Sequence, residues 1–281
     1  KLTELIAECA GVRKEDVISE DVFVYNRDGG KIIGVNNELI LAPRLDDLGC
    51  VYSSVRAFLD AEDKGNAVPV LAIFDNEEVG SSSVQGAASD LLENLLTRIC
   101  KACDWDLMEM LANSFMVSAD NGHALHPNHP EYSDASNAPL PGGGVVLKFN
   151  ASLRYTTDGL SAAVFRSVCH KADVPVQTYC NRADLMGGST LGNISVTHVS
   201  VLSADIGLPQ LAMHSSFETA GVQDAIYLEE AMAVSYSKLW KVLVDKEMSK
   251  ADLRKKADIS SNTMTRMRKN EPVTLDLLSR I

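Results

Sequence analysis

From about residue 40 to 230 the chain alternates short, near-continuous apolar runs with helix-like stretches, and this alternation constrains the fold more than any other feature. The apolar runs are Val68 to Phe74, Ser114 to Ala119, Gly144 to Phe149, Val174 to Tyr179 and Val199 to Ala204. They are rich in Val, Ile and Phe, and a strand that is apolar throughout is one covered on both faces. Leu48 to Asp63, Ala87 to Leu111, Leu160 to Ala172 and Gly192 to Thr197 read as the helices between them. The pattern predicts an α/β protein, a mixed sheet flanked by helices. Ahead of it, Val17 to Tyr25, the turn signal Asp28-Gly29-Gly30 and Ile32 to Leu41 predict a β-rich piece feeding the core.

At 281 residues, 46% hydrophobic and 23% charged, the chain has room for one large domain and a small appendage. No apolar run approaches the roughly 18–20 residues that cross a bilayer, and Lys1-Leu2-Thr3 opens no signal-peptide pattern. The expectation is a cytoplasmic protein with no membrane partner. Six scattered cysteines predict reduced thiols, and Cys100-x-x-Cys103 has neither a second pair nor a nearby histidine to make it a zinc or redox motif. Charge divides the chain. Residues 234–281 hold eleven basic and six acidic side chains, a net +5, which leaves −17 for the rest of a chain of net charge −12. An acidic body repels nucleic acid, whereas a basic tail attracts it.

Divalent cations need carboxylates and imidazoles presented by rigid elements, and strand ends provide such positions. Four places that follow apolar runs carry these groups: Arg44-Leu45-Asp46-Asp47, Asp75-Asn76-Glu77-Glu78-Val79-Gly80-Ser81, Ser118-Ala119-Asp120, and Ala212-Met213-His214-Ser215. Adjacent Glu77 and Glu78 in an irregular loop point in different directions, so one can hold metal while the other stays free as a general base. His123, His126 and His129 lie in a Pro/Asn-rich extended loop, where positioning a substrate or bracing the loop suits them better than metal ligation.

These residues resemble the aspartyl aminopeptidase family. The similarity rests on Leu41-Ala-Pro-Arg-Leu-Asp-Asp-Leu48, Asp75-Asn-Glu-Glu-Val-Gly-Ser81, Ser118-Ala-Asp-Asn-Gly-His-Ala-Leu-His-Pro-Asn128, Gly188-Ser-Thr-Leu-Gly192 and Leu211-Ala-Met-His-Ser215, in that order, over about residues 1 to 232. The resemblance implies a zinc-peptidase-like core of a sheet between helices, holding two divalent metal ions, usually zinc. It implies Asp46 as the bridging ligand, Asp120 on one metal, Glu78 and His214 on the other, and Glu77 as the general base that passes a proton from the attacking water to the leaving amine. The substrate would be a peptide with an acidic N-terminal residue. Lys148 would meet the substrate's acidic side chain, His126 would help to position it, and the loop from Asp184 through Gly188 to Gly192 would line the pocket. The chain has no His-Thr-Asp-Ser-Pro, the family motif whose histidine completes the first metal site, and Asp47 stands where asparagine is common. Residues 1–40 resemble the end of the family's inserted dimerisation domain, which implies that the chain starts partway through a longer protein and that a homo-oligomer forms when the preceding segment is present. Residues 41–232 would be the C-terminal part of the catalytic core.

Residues 233–281 resemble a small all-α, Cro-like helix-turn-helix. Ser249 to Asp252 gives a capping signal, Leu253 and Ala257 are apolar at helical spacing, and Asp258-Ile259-Ser260 reads as the turn. Ser261, Asn262, Thr263, Thr265, Arg266 and Lys269 would then lie on or near a DNA-reading helix, the alternative being a solvated basic hairpin. Two functions follow from the whole: a zinc aminopeptidase impaired by the missing histidine, or a DNA-binding regulator with a catalytically inactive peptidase-like body.

Overall fold

The computed structural model describes residues 1–61, 68–185 and 187–233. In chain order its elements are α1 (Leu2–Ala10), β1 (Lys31–Ile33), β2 (Leu39–Ala42), α2 (Leu45–Asp60), α3 (Leu91–Cys103), α4 (Leu107–Ala112), β3 (Phe115–Ala119) and β4 (Gly122–His123). There follow β5 (Val145–Phe149), α5 (Gly159–Ala172), β6 (Val176–Cys180), α6 (Leu191–Ser195), β7 (Leu202–Gly207), β8 (Pro209–Leu211), β9 (Glu218–Gly221) and α7 (Val222–Ala233). The strands make two sheets, one in the order β3-β7-β5-β6 and one in the order β1-β2-β9-β8-β4. The first is mixed: β3 and β7 run parallel, as do β5 and β6, while β5 and β7 are antiparallel.

Burial explains the apolar runs. Val145 and Leu147 of β5 pack with Ile206 of β7, Phe165 and Cys169 of α5 and Leu228 of α7 in the principal core. Val146, on the opposite face of β5, packs with Tyr155 and Tyr179, so this strand is covered on both sides as its composition requires. Helix α5 starts at a capping box, in which Asp158 accepts from the Ser161 backbone N–H and Ser161 returns the bond to the Asp158 backbone. It ends at left-handed Asp173, with the Val174 N–H closing back on the Cys169 carbonyl.

Several expectations are corrected. Val68 to Phe74 forms no strand among the described residues: it pairs with no neighbour, and Val68, Val70 and Ile73 are exposed. An apolar, β-branched composition produces a strand only where an edge is there to receive it. The single helix expected over Ala87 to Leu111 is two, because Asp104 is left-handed at φ 55 and ends α3 before Asp106 caps α4 through the Glu109 N–H. The opening is not simply β-rich. Residues 2–10 are helical and end at left-handed Gly11, while Val17 to Tyr25 is not a strand and leaves Val22, Phe23 and Val24 exposed. The β7 strand lies three residues further on than its apolar run suggests. Residues 234–281, with all of the expected DNA-contacting side chains, lie outside the described residues. No helix among the described residues is long and apolar enough to cross a membrane.

Candidate metal centre and active site

The candidate ligands sit at irregular points of the backbone, beside the ends of elements or in a single turn. The first turn of α2 is not helical: Asp46 has φ −86, ψ 109 and Asp47 has φ −118, ψ 32, after left-handed Arg44. Two consecutive carboxylates are thereby presented from one helix start. Glu77 and Glu78 occupy a single 3-10 turn, Glu77–Val79, set between left-handed Asn76 and Gly80. Asp120 follows β3, its N–H bonded to the Ile206 carbonyl at 3.0 Å. A side chain at Gly207 would run into the Asp120 backbone, so glycine is what lets that strand end approach. His214 follows β8 with φ 63.

The His214 Nε2 lies 3.1 Å from Asp46 Oδ2 and 2.9 Å from Glu78 Oε2. Asp46, Glu78 and His214 thus offer ligand atoms all within 4.8 Å of one another, and Asp46, Asp47 and Asp120 form a second such group. Glu77 belongs to neither group and forms no salt bridge among the described residues. A divalent cation fits the arrangement for a reason internal to it: Asp46 Oδ1 and Asp47 Oδ1 are buried without a hydrogen-bond partner. Unpaired carboxylate oxygens carry a heavy desolvation cost that a cation offsets. The same crowding shows in the acidities. Burial, followed by the negative charges of Asp120 and Glu78, raises the Asp46 carboxyl to about 7, and the same causes in the same order raise Glu77 to about 7. Burial and Asp120 push Asp47 well above the ordinary carboxylate range.

Sequence reasoning missed the groups that hold these ligands in place. Glu218, 2% exposed in β9, accepts the His214 N–H through Oε1 at 2.6 Å and the Asp46 N–H through Oε2 at 2.9 Å. One carboxylate therefore fixes two ligand-bearing backbones that are far apart in the chain. Strand alternation was the available signal, since Glu218 shares its face with buried Ala220. Asn121 donates from Nδ2 to the Leu45 carbonyl at 2.8 Å and to Gln210 Oε1 at 2.6 Å, tying the start of α2 to the end of β3. Asp205 is fully buried and accepts from the Thr156 N–H and hydroxyl and from the Thr190 hydroxyl, which anchors the far end of the Asp184 to Gly192 loop.

The expected substrate-binding residues are placed unevenly. Lys148 is 1% exposed, and its Nζ donates to Asp120 Oδ2 at 2.9 Å and to the Asn121 carbonyl at 2.8 Å. Burial acts to lower its pKa, but Asp120 and then Tyr155 outweigh that and raise it. In this arrangement the lysine is an internal counter-charge to Asp120. His126 accepts the Asn128 N–H through Nδ1, and its ring lies 5.3 Å from that of His129, so it braces its own loop. Asp184 is exposed and paired with Arg182, and Gly188 is open to solvent.

The sequence pattern of the aminopeptidase I zinc metalloprotease (M18) family matches residues 1–235. The chain belongs to the M18 family. A probable M18 family aminopeptidase 2 of Clostridium novyi is 44% identical over 229 residues, covering 80% of this chain and 53% of that protein. The namesake in Mycobacterium tuberculosis is 40% identical over 256 residues, covering 88% of this chain and 57% of its own length. The chain therefore spans about half the length of these M18 relatives. Among solved structures, prApe1 superposes with a TM-score of 0.78 at 27% identity, over 88% of this chain and 53% of that one. Yeast aminopeptidase 1 gives 0.72 at 28% identity, over 88% and 56%. Residues 238–281 match a Cro/C1-type helix-turn-helix DNA-binding domain. Membership of M18 implies a divalent metal, zinc by the family's description, and the Asp46, Glu78 and His214 atoms suit it, since a borderline cation accepts imidazole and carboxylate together.

Proposed function

We propose that the site works as an aminopeptidase centre, removing the N-terminal residue of peptides with two divalent cations, zinc among them, held by Asp46, Glu78, Asp120 and His214. The observation that carries this is the division of the glutamate pair. Glu78 meets His214 at 2.9 Å, while its neighbour Glu77 stays half-buried and outside both ligand groups. When bound, a divalent cation supplies Lewis-acid polarisation of the scissile carbonyl and lowers the pKa of water. The Glu77 carboxylate takes the proton of the attacking water and delivers it to the leaving amine. Glu218 and Asn121 keep the ligands in register while this happens. Preference for an N-terminal Asp or Glu is the finer part of the proposal. Comparing aspartyl, glutamyl and leucyl substrates tests that preference, with Lys148, the buried cation beside Asp120, as its expected determinant. Assembly into a homo-oligomer belongs to the same reading, supported by a Saccharomyces relative whose structure is described as a dodecamer, as do a remnant of a dimerisation domain at residues 1–40 and a cytoplasmic setting.

The direct test is Glu77→Gln, assayed for release of aspartate from a dipeptide and for bound metal. The expected result is loss of hydrolysis with metal content unchanged. Loss of metal from this variant would refute the split between base and ligand.

The match over residues 238–281 supports one narrower reading, that the tail contacts DNA through Ser261, Asn262, Thr265, Arg266 and Lys269. Retention of duplex DNA that weakens steeply across a salt series is the expected behaviour, and equal binding by a chain ending at residue 233 would exclude the tail.

A further inference from the structure

A third group of ligand-type side chains lies outside the centre described above. Asp90, Glu93 and His198 bring one imidazole and two carboxylates to within 4.8 Å of one another. Asp90 stands at the start of α3 and Glu93 three residues on, so both carboxylates share one helix face. His198 comes from the turn after α6, where the N–H groups of His198 and Val199 both close on the Ser195 carbonyl at 3.0 Å and Val199 is buried. The imidazole is thus carried on a fixed backbone, with its side chain only 26% exposed. A cation answers three features of this group. Asp90 occupies the position from which an aspartate ordinarily caps a helix, yet its carboxylate makes no capping bond and faces His198 instead. Its Oδ1 lies 3.5 Å from His198 Nδ1, too long for a normal N–H···O hydrogen bond. That spacing matches the roughly 3.3–3.6 Å between two ligand atoms of a tetrahedral zinc whose bonds are about 2.0–2.2 Å. Glu93 has no ion-pair or hydrogen-bond partner among the described residues. With the imidazole neutral, as a metal ligand must be, the group carries two negative charges, which match one divalent ion. The start of α3 opposes a cation with only about half a positive charge.

We infer that Asp90, Glu93 and His198 form a peripheral site for a borderline divalent cation such as Zn²⁺, which clamps the start of α3 to the segment after α6. Three protein ligands leave the fourth tetrahedral position to water. Asp90 and Glu93 are exposed, so solvent competes for them and the site fills only at zinc excess, after the buried centre. That centre keeps Asp46, Asp47, Glu78 and Asp120 even in His214→Ala, and takes the first equivalent there too. The clamp acts next to the glycine-rich loop, since α6 begins at Thr190, whose hydroxyl is held by Asp205.

Equilibrium dialysis of the full chain against excess Zn²⁺ counts the bound ions. The wild-type chain should bind one more zinc ion than His198→Ala. Glu93→Gln, at an exposed position that tolerates the change, should weaken that ion by at least about tenfold, the lower end of what even outer-shell changes cost a metal site. Equal zinc binding by the wild-type chain and His198→Ala would overturn the site, and unchanged affinity in Glu93→Gln would overturn the three-ligand group. His214→Ala should keep the peripheral ion, so a fault in the central assignment appears in that variant and not in the difference between the wild-type chain and His198→Ala. Hydrogen exchange reads the clamp: the amides of residues 194–199 should exchange more slowly in excess zinc in the wild-type chain but not in His198→Ala, and the same response in both would overturn it.

Discussion

Replacing Glu218 with glutamine changes neither the length nor the shape of the side chain, yet it should disturb the centre from beneath. The native carboxylate satisfies two backbone N–H groups, those of His214 at 2.6 Å and Asp46 at 2.9 Å, in a position 2% exposed. Glutamine offers a single carbonyl oxygen, so one N–H keeps a partner and the other faces an amide donor. A hydrogen bond to a charged acceptor contributes about 1.5–3 kcal/mol, and a buried donor left unsatisfied costs about 1–3 kcal/mol. These two figures partly describe the same loss, so the expected destabilisation is about 2–4 kcal/mol. That is a large share of a domain's typical stability of about 5–15 kcal/mol. Because the freed backbone carries Asp46 or His214, zinc affinity should fall by about 10- to 100-fold, as for other groups that orient metal ligands. Urea unfolding of the metal-free protein reads the first quantity, and zinc competition against a chromophoric chelator reads the second. An unchanged unfolding midpoint together with unchanged zinc affinity would show that Glu218 is not the brace described above.

Asp46 belongs to both ligand groups and Asp120 to one, so elemental analysis should find Asp46→Ala without either metal and Asp120→Ala short of one; equal losses would argue against a shared ligand. Asp224, fully buried in α7, accepts the N–H groups of Gly142 and Gly144. Burial, only partly opposed by those two bonds, raises its pKa above 3.8. A raised carboxyl favours the folded state while protonated, and that contribution is lost as pH climbs through the folded pKa. As pH rises above about 4, the ordinary carboxylate range, the wild-type chain should therefore lose unfolding stability relative to Asp224→Asn, and a difference that does not vary with pH would contradict the shift.

The residues that cluster here were legible in the sequence because each follows an apolar run, although the run ahead of Glu77 and Glu78 forms no strand among the described residues. Their supports were not. Glu218 and Asp46 are 172 positions apart, and no local period links them; only the closing of β9 against β2, with Ala42 opposite Glu218, brings them together. The partner of Lys148 was hidden for a related reason. The lysine lies between Leu147 and Phe149 in a strand buried on both faces, a setting that calls for an internal partner, and that partner, Asp120, lies on another strand's end. Val68 to Phe74 shows the limit of composition, since apolarity marks the wish to be covered and is silent about whether an edge is present. The two-helix form of residues 91–112 depended on a left-handed aspartate, Asp104, which a period of 3.6 residues does not mark.

X-ray absorption at the zinc edge of the chain loaded with one equivalent of zinc tests the central assignment most directly. The account predicts a first shell of one imidazole nitrogen and carboxylate oxygens at about 2.0–2.2 Å, with the imidazole signature abolished in His214→Ala. A sulfur shell at about 2.3 Å, which would place the ion on the chain's cysteines, or an imidazole signature that survives in His214→Ala, would contradict it.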